Sequence, residues 1–135
     1  MDVTDTSYAE GRILEFDSEE KIRTDLLQTF PYEGPRQNIV YETREFSAVC
    51  PYSGLPDYAL VRIEYEPDQL IVELKSLKYY IVSYRSVGIF QEHATKRLYE
   101  DLHALLKPRL LCVKTVYNIR GGIDAACEIR SDHQG

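Results

Sequence analysis

Leu110-Leu111-Cys112-Val113-Lys114-Thr115-Val116-Tyr117-Asn118, followed by Ile119-Arg120-Gly121-Gly122 and then Ile123-Asp124-Ala125-Ala126-Cys127-Glu128-Ile129-Arg130, reads as strand, turn and strand. Two runs of strand length lie either side of a glycine pair, the pattern of a β-hairpin. Upstream, Phe90, Ala94, Leu98, Leu102 and Leu105 recur at helical spacing. Glu92 and Lys96 are placed to pair at i,i+4, and Pro108 stops the helix. Before it, Leu74, Leu77, Ile81 and Tyr84 mark another helix, with Gly88 read as its C-cap. Leu70-Ile71-Val72 is a short extended piece after the break at Pro67-Asp68. Gln37 to Val49 and Tyr58 to Tyr65 read as strands, the second with Ala59, Val61, Ile63 and Tyr65 on one face.

The order is therefore ββααββ, which predicts an α+β architecture: an antiparallel sheet with two helices on one face. So small a sheet leaves open edges, and joining sheets between subunits into a barrel protects them, so a homo-oligomer is expected. Residues 1–24 lack periodicity and are expected to form a flexible or loosely docked arm. Residues 25–135 form the single domain.

With 135 residues, 44% of them hydrophobic and 28% charged, the chain can build one core with a wet surface. A formal charge of −6 argues against a broad basic face, so direct nucleic-acid binding is not expected. No leader-like start and no membrane-spanning apolar run are present, which predicts a cytoplasmic protein and no membrane partner. Three cysteines without CxxC spacing suggest neither a disulfide framework nor a zinc ribbon, and His93, His103 and His133 share no ligand spacing, so no metal is predicted. Cys112 and Cys127 sit in strand-like surroundings and are expected as small buried hydrophobes.

Cys50 differs. It ends a strand-like run and begins Cys50-Pro51-Tyr52-Ser53-Gly54-Leu55-Pro56-Asp57, where two prolines and a glycine fix the path between a thiol and a carboxyl. A thiolate can bond to an electrophilic carbon while a nearby carboxyl moves the proton that the addition requires. On spacing alone, a structural thiol is the equal alternative. In Glu73-Leu74-Lys75-Ser76-Leu77-Lys78-Tyr79-Tyr80 two lysines lie at i,i+3 beside a helix start, an arrangement that suits a phosphate-bearing ligand. Two solvated lysines on an amphipathic helix are also commonplace. Glu92 at the next helix start is favoured by the helix dipole, and facing a pocket it can accept two N–H bonds from a guanine-like edge. Arg120-Gly121-Gly122 is a hairpin turn that can also present a guanidinium and bare backbone to an anion.

Taken together, Glu45-Phe46-Ser47-Ala48-Val49-Cys50-Pro51, Gly54-Leu55-Pro56-Asp57, Glu73 to Tyr80, Tyr84-Arg85-Ser86-Val87-Gly88-Ile89-Phe90-Gln91-Glu92 and Arg120-Gly121-Gly122-Ile123 resemble, in order and spacing, the NADPH-dependent 7-cyano-7-deazaguanine reductases of queuosine biosynthesis, a pathway of tRNA modification. The likeness spans Leu26 to Ala125 and is to the single-domain branch of that family. It implies the tunnelling fold, a barrel assembled from several subunits with sites at their interfaces. It also implies reduction of the nitrile of a free deazapurine base to an aminomethyl group. Cys50 would form a covalent thioimide, Asp57 would supply the proton, and two NADPH would be used per turnover.

By the same resemblance Val72, Glu73, Leu74, Gln91 and Glu92 would form the substrate pocket, and Lys75, Ser76, Lys78, Arg120 and Gly121 would meet the cofactor. No GxGxxG loop is present, so the cofactor would bind without the usual parallel dinucleotide fold. Many family members carry histidine where this chain has Gln91, which cannot act as an acid. Some have a second cysteine where this chain has Ala94, so a protective disulfide by that route is absent. The alternatives are an amidine-forming relative acting on the nitrile base in tRNA, and a non-catalytic purine- or pterin-binding subunit of the same fold.

Overall fold

The computed structural model describes residues 11–131. Six strands and two helices follow in the order β1 (Thr29–Pro31), β2 (Ile39–Val49), β3 (Pro56–Glu66), β4 (Leu70–Val72), α1 (Leu74–Val82), α2 (Gln91–Leu106), β5 (Leu110–Arg120) and β6 (Ile123–Arg130). Strands β2-β3-β5-β6 make one antiparallel sheet in that spatial order. This is the α+β architecture expected from the sequence. The short β1 and β4 pair separately, Phe30 opposite Ile71. Strand β1 carries no alternating pattern, and its partner holds it in place.

Alternation along β3 buries Ala59, Val61, Ile63 and Tyr65 and turns Tyr58, Leu60, Arg62 and Glu64 outward. The buried row joins Phe46 and Ala48 of β2 and Leu111, Val113 and Tyr117 of β5 under the helices. From above, α1 contributes Leu77 and Ile81, and α2 contributes Ala94, Leu98, Leu102 and Leu106. Leu98, Leu102 and Leu106 are almost wholly enclosed, and burying each stabilises the fold by roughly 1.5–3 kcal/mol. A hydroxyl pair crosses this apolar layer: Thr95 of α2 and Thr115 of β5 lie 2.7 Å apart, and Thr95 Oγ1 also donates to the Gln91 carbonyl at 2.9 Å. That pair fixes the first turn of α2 over the middle of β5.

Several expectations need correction. Leu74 begins α1 with its side chain exposed, and Phe90 is likewise outside, so the apolar stripes are shorter than the spacing implied. Gly88 does not cap α1, which ends at Val82. Its missing Cβ instead leaves room for the Phe16 ring, which an added carbon would meet at 2.1 Å. Lys96 pairs with Glu100 rather than Glu92. Helix α2 ends on Lys107 in the left-handed conformation, one residue before Pro108. Cys112 is buried as expected but under charged groups, and burial together with Glu128 pushes its thiol up to about 11. Cys127 is only half-buried.

The core extends upstream of residue 25. Ile22 is buried in it, and 11–17 lie across two loops: the Leu14 amide donates to the Ser53 carbonyl, and Asp17 forms a parallel bridge with Val87. The remainder of the expected arm, residues 1–10, and His133 lie outside the described residues.

Gly54 is where this strap touches the Cys50–Asp57 loop. Its φ is +76°, and a Cβ there would stand 2.2 Å from the Leu14 carbonyl oxygen. Gly54→Ala is therefore expected to cost about 1–3 kcal/mol, read by chemical denaturation, and to speed proteolysis before residue 20. A variant as stable and as protease-resistant as the parent would show that the strap does not bear on this loop.

Candidate functional site

Cys50 follows the last residue of β2, and the loop after it is closed by its own backbone. The Cys50 amide donates to the Leu55 carbonyl at 2.9 Å, while the Cys50 carbonyl accepts from Gly54 at 2.7 Å and Ser53 at 3.2 Å. Across β2 and β3, Ala48 faces Asp57 and Val49 faces Pro56, so thiol and carboxyl start from neighbouring places in the ladder. Val49 also pairs with Gly88, donating to Val87 and accepting from Ile89. The base of the cysteine loop is thus bonded to the segment that opens α2, where Gln91 and Glu92 stand.

The thiol and the carboxyl are shifted in opposite directions. Burial pushes the Cys50 thiol up and the Asp57 carboxylate adds to this, but the Tyr52 amide and the hydroxyl and amide of Ser53 outweigh both, so the thiol ionises more readily than an ordinary cysteine. Asp57 is 5% exposed, and burial raises its carboxyl above the usual carboxylate range despite Arg120 beside it. Arg120 forms an ion pair with Asp57 and donates to the Pro56 carbonyl at 3.1 Å. Beyond that ion pair the buried Asp57 Oδ1 has no hydrogen-bond partner. Tyr117 Oη is also buried without a hydrogen-bond partner.

The residues expected to meet substrate and cofactor fall into distinct environments. Glu92 and half-buried Gln91 occupy the first turn of α2. Glu73 caps α1, accepting from the Lys75 and Ser76 amides at 2.8 Å each, and those bonds hold its carboxylate below its ordinary range. The helix N–H groups expected to be free for a phosphate are therefore taken by Glu73. Ser76 is buried, its hydroxyl between Gln28 and the Glu73 carbonyl, and Val72 is part of the core. Lys75 and Lys78 project into solvent, Lys78 near Glu45 and Lys75 over the Tyr79 ring at 5.8 Å.

Beside α1 lies an apolar cavity of about 240 Å³ lined in part by Tyr41, Leu74, Leu77 and Lys78; neither Cys50 nor Asp57 borders it. Arg44, Lys78 and Arg85 border an open groove next to Pro56 and Tyr58. Gly121, at φ +54°, serves the β5–β6 turn. Among the described residues no cluster of His, Cys, Asp and Glu could hold a metal ion, and no helix is long and apolar enough to cross a membrane.

Sequence reading missed the Asp57–Arg120 pair and Tyr117. A signal for the first was present: β3 begins near Asp57 and β5 ends at Arg120, so antiparallel pairing of these strands puts the two at one end of the sheet. Tyr117 carried no mark in the sequence beyond its place in an apolar run.

The chain is similar to known proteins in sequence and in fold. The family model described as QueF-like protein matches residues 56–135. NADPH-dependent 7-cyano-7-deazaguanine reductases of Thermotoga petrophila and Thermotoga maritima are each 57% identical over 124 residues, covering 91% of this chain and 90% of theirs. The enzyme of that name from Caldicellulosiruptor bescii is 55% identical over 106 residues, 77% of this chain and 81% of its own. Among solved structures, the archaeosine synthase QueF-Like in the apo form superposes with a TM-score of 0.65 over 76% of this chain and all of that one, at 22% identity, a likeness of fold. The chain belongs to the QueF-like family, that of the NADPH-dependent 7-cyano-7-deazaguanine reductases.

Proposed function

We propose that this protein reduces the nitrile of 7-cyano-7-deazaguanine to the aminomethyl base with two equivalents of NADPH, through a covalent bond to Cys50. The observation that carries this reading is the meeting of an easily ionised thiol with a proton-retaining carboxyl at the two ends of one rigid loop, in a chain 57% identical to reductases of that name. Addition of the Cys50 thiolate to the nitrile carbon forms the C–S bond and turns the triple bond into a C=N bond. Asp57 gives its proton to the nitrile nitrogen and becomes a carboxylate. NADPH when bound would supply hydride. At the half-reduced stage the C–S bond breaks, which returns Cys50 as a thiolate and leaves a C=N bond for the second reduction; two hydrides with two protons account for the four-electron change from nitrile to amine. Glu92 holds the N–H edge of the base, where a carboxylate makes a bidentate match.

Lys75 and Lys78 suit a polyanionic cofactor because both are exposed cations on one side of α1, with Arg44 and Arg85 bordering the adjacent groove. The helix N-terminus and Ser76 are already engaged, so this chain would hold such a cofactor through side-chain charge. Arg120 is better assigned to Asp57 than to the cofactor. An open sheet with β2 and β6 at its edges supports assembly of several subunits into a barrel, with Glu73 and Leu74 meeting a neighbour's site. A small-molecule substrate fits an acidic chain better than tRNA does.

Purified protein given the nitrile base and NADPH is expected to oxidise two NADPH for each amine formed, followed at the nicotinamide absorbance band. No oxidation with authentic substrate would reject the assignment, and consumption of ammonia with nitrile-bearing tRNA would replace it with amidine formation. Without NADPH, intact-mass spectrometry should find one added substrate mass, absent in Cys50→Ala and Cys50→Ser. An unmodified wild-type protein would leave binding alone.

The pH dependence distinguishes Asp57 as the acid. The productive state needs Cys50 ionised and Asp57 protonated, so adduct formation rises as pH climbs through the Asp57 pKa, stays level, and falls once pH passes that of the thiol. Asp57→Asn is expected to slow the reaction by about 10²–10⁴-fold and to turn the alkaline fall into a rise that levels off above the thiol pKa. A variant that keeps the parent's rate and alkaline fall would remove Asp57 from the mechanism.

A further inference from the structure

Among the described residues, two buried side-chain polar atoms have no hydrogen-bond partner, and they belong to neighbours: Asp57 Oδ1 and Tyr117 Oη. Tyr117 pairs directly with Ala59 across β3 and β5. Asp57 lies two residues from Ala59 on the same buried face, which makes it the diagonal neighbour of Tyr117, within reach of a side chain as long as tyrosine. Tyr117 is 5% exposed, and its hydroxyl is held protonated by burial first and then by the charges of Asp57, Cys127 and Glu92. A protonated phenol without an acceptor thus stands beside a carboxyl oxygen whose one partner is the Arg120 guanidinium.

Arg120 already holds the carboxyl. Its guanidinium, on a half-exposed side chain, is paired with the same Oδ1. The groups facing Asp57 are thus Cys50 from its loop and Arg120 and Tyr117 from β5. Glu92 of α2 and Cys127 of β6 act on Tyr117 through their charges. Neither Cys50, Glu92 nor Cys127 offers Asp57 a fixed positive charge.

The geometry points to Tyr117 as a positioning residue for Asp57: its hydroxyl donates to the carboxylate that remains after Asp57 has delivered its proton, alongside the Arg120 ion pair. This rests on the proposed reaction. The donor keeps the spent carboxylate aimed at the substrate nitrogen by adding a second, buried hydrogen bond to the Arg120 ion pair.

The test is Tyr117→Phe, which removes the hydroxyl and keeps the ring. At a pH where Asp57 keeps its proton the folded protein should melt no lower than the parent, because the hydroxyl then has no carboxylate to bond. Loss of a donor to the carboxylate should move the acid limb of adduct formation upward by about one pH unit, since a hydrogen bond to a charged group is of that strength. Tyr117→Met, which fills much of the volume without a ring, should move it the same way. In the Asp57→Asn background the Tyr117→Phe change should alter the rate less than twofold, because the group it acts on is gone. An acid limb that stays in place, or an equal loss of rate in both backgrounds, overturns the assignment of Tyr117 alone. Wild-type protein that forms no adduct overturns the functional reading and this inference together.

Discussion

Pairing of Ala59 with Tyr117 across β3 and β5 is the constraint on which the site depends. Side chains alternate along a strand, so a slip of one residue would turn Asp57 out to solvent and put Tyr58 in its place. The register is held because the same pairing buries Val61, Ile63 and Tyr65 under the helices, and a slip of one residue would expose that row. Thr95 and Thr115 then tie α2 to β5, which brings Glu92 to the same end of the sheet. Apolar burial in the middle of the sheet thereby sets the place of polar groups at its edge.

Those polar groups modify one another. An ordinary thiol and carboxyl would settle with the proton on sulfur, the unreactive distribution. Hydrogen bonds from the Tyr52 and Ser53 region favour sulfur as an anion, and burial favours Asp57 as an acid, so the two environments work toward the opposite distribution. The effects reinforce each other, because a protonated Asp57 no longer repels a thiolate. Loop rigidity matters for the same reason: the amides that hold sulfur do so only while Cys50, Gly54 and Leu55 remain bonded to one another.

Element type and order were legible because periodicity reports which face is buried. The alternation of Ala59, Val61, Ile63 and Tyr65 and the spacing of Ala94, Leu98 and Leu102 both reappear as core. Cys50 and Asp57 were legible as a pair because they lie seven residues apart on a loop whose prolines and glycine restrict its path. Ends of elements were harder. Leu74, Phe90 and Gly88 continued apolar or capping patterns past the point where a neighbour exists to cover them or a cap is needed. Long-range partners were hardest: nothing local to Arg120 says that Asp57 is nearby, and nothing local to Ser76 says that Gln28 occupies its hydroxyl.

Gly88 shows how such long-range facts arise. Its lack of a side chain looked like a helix signal, yet it accommodates Phe16 from a segment more than seventy residues earlier. The same segment lies on Gly54, so two glycines that flank the site in space are both needed for one strap to pass. Because Gly88 pairs with Val49 and Gly54 belongs to the cysteine loop, the strap spans the two pieces of backbone that hold Cys50 against the start of α2. Sequence far from the reacting atoms thus constrains them through backbone packing, with no contact between strap side chains and the reacting groups required.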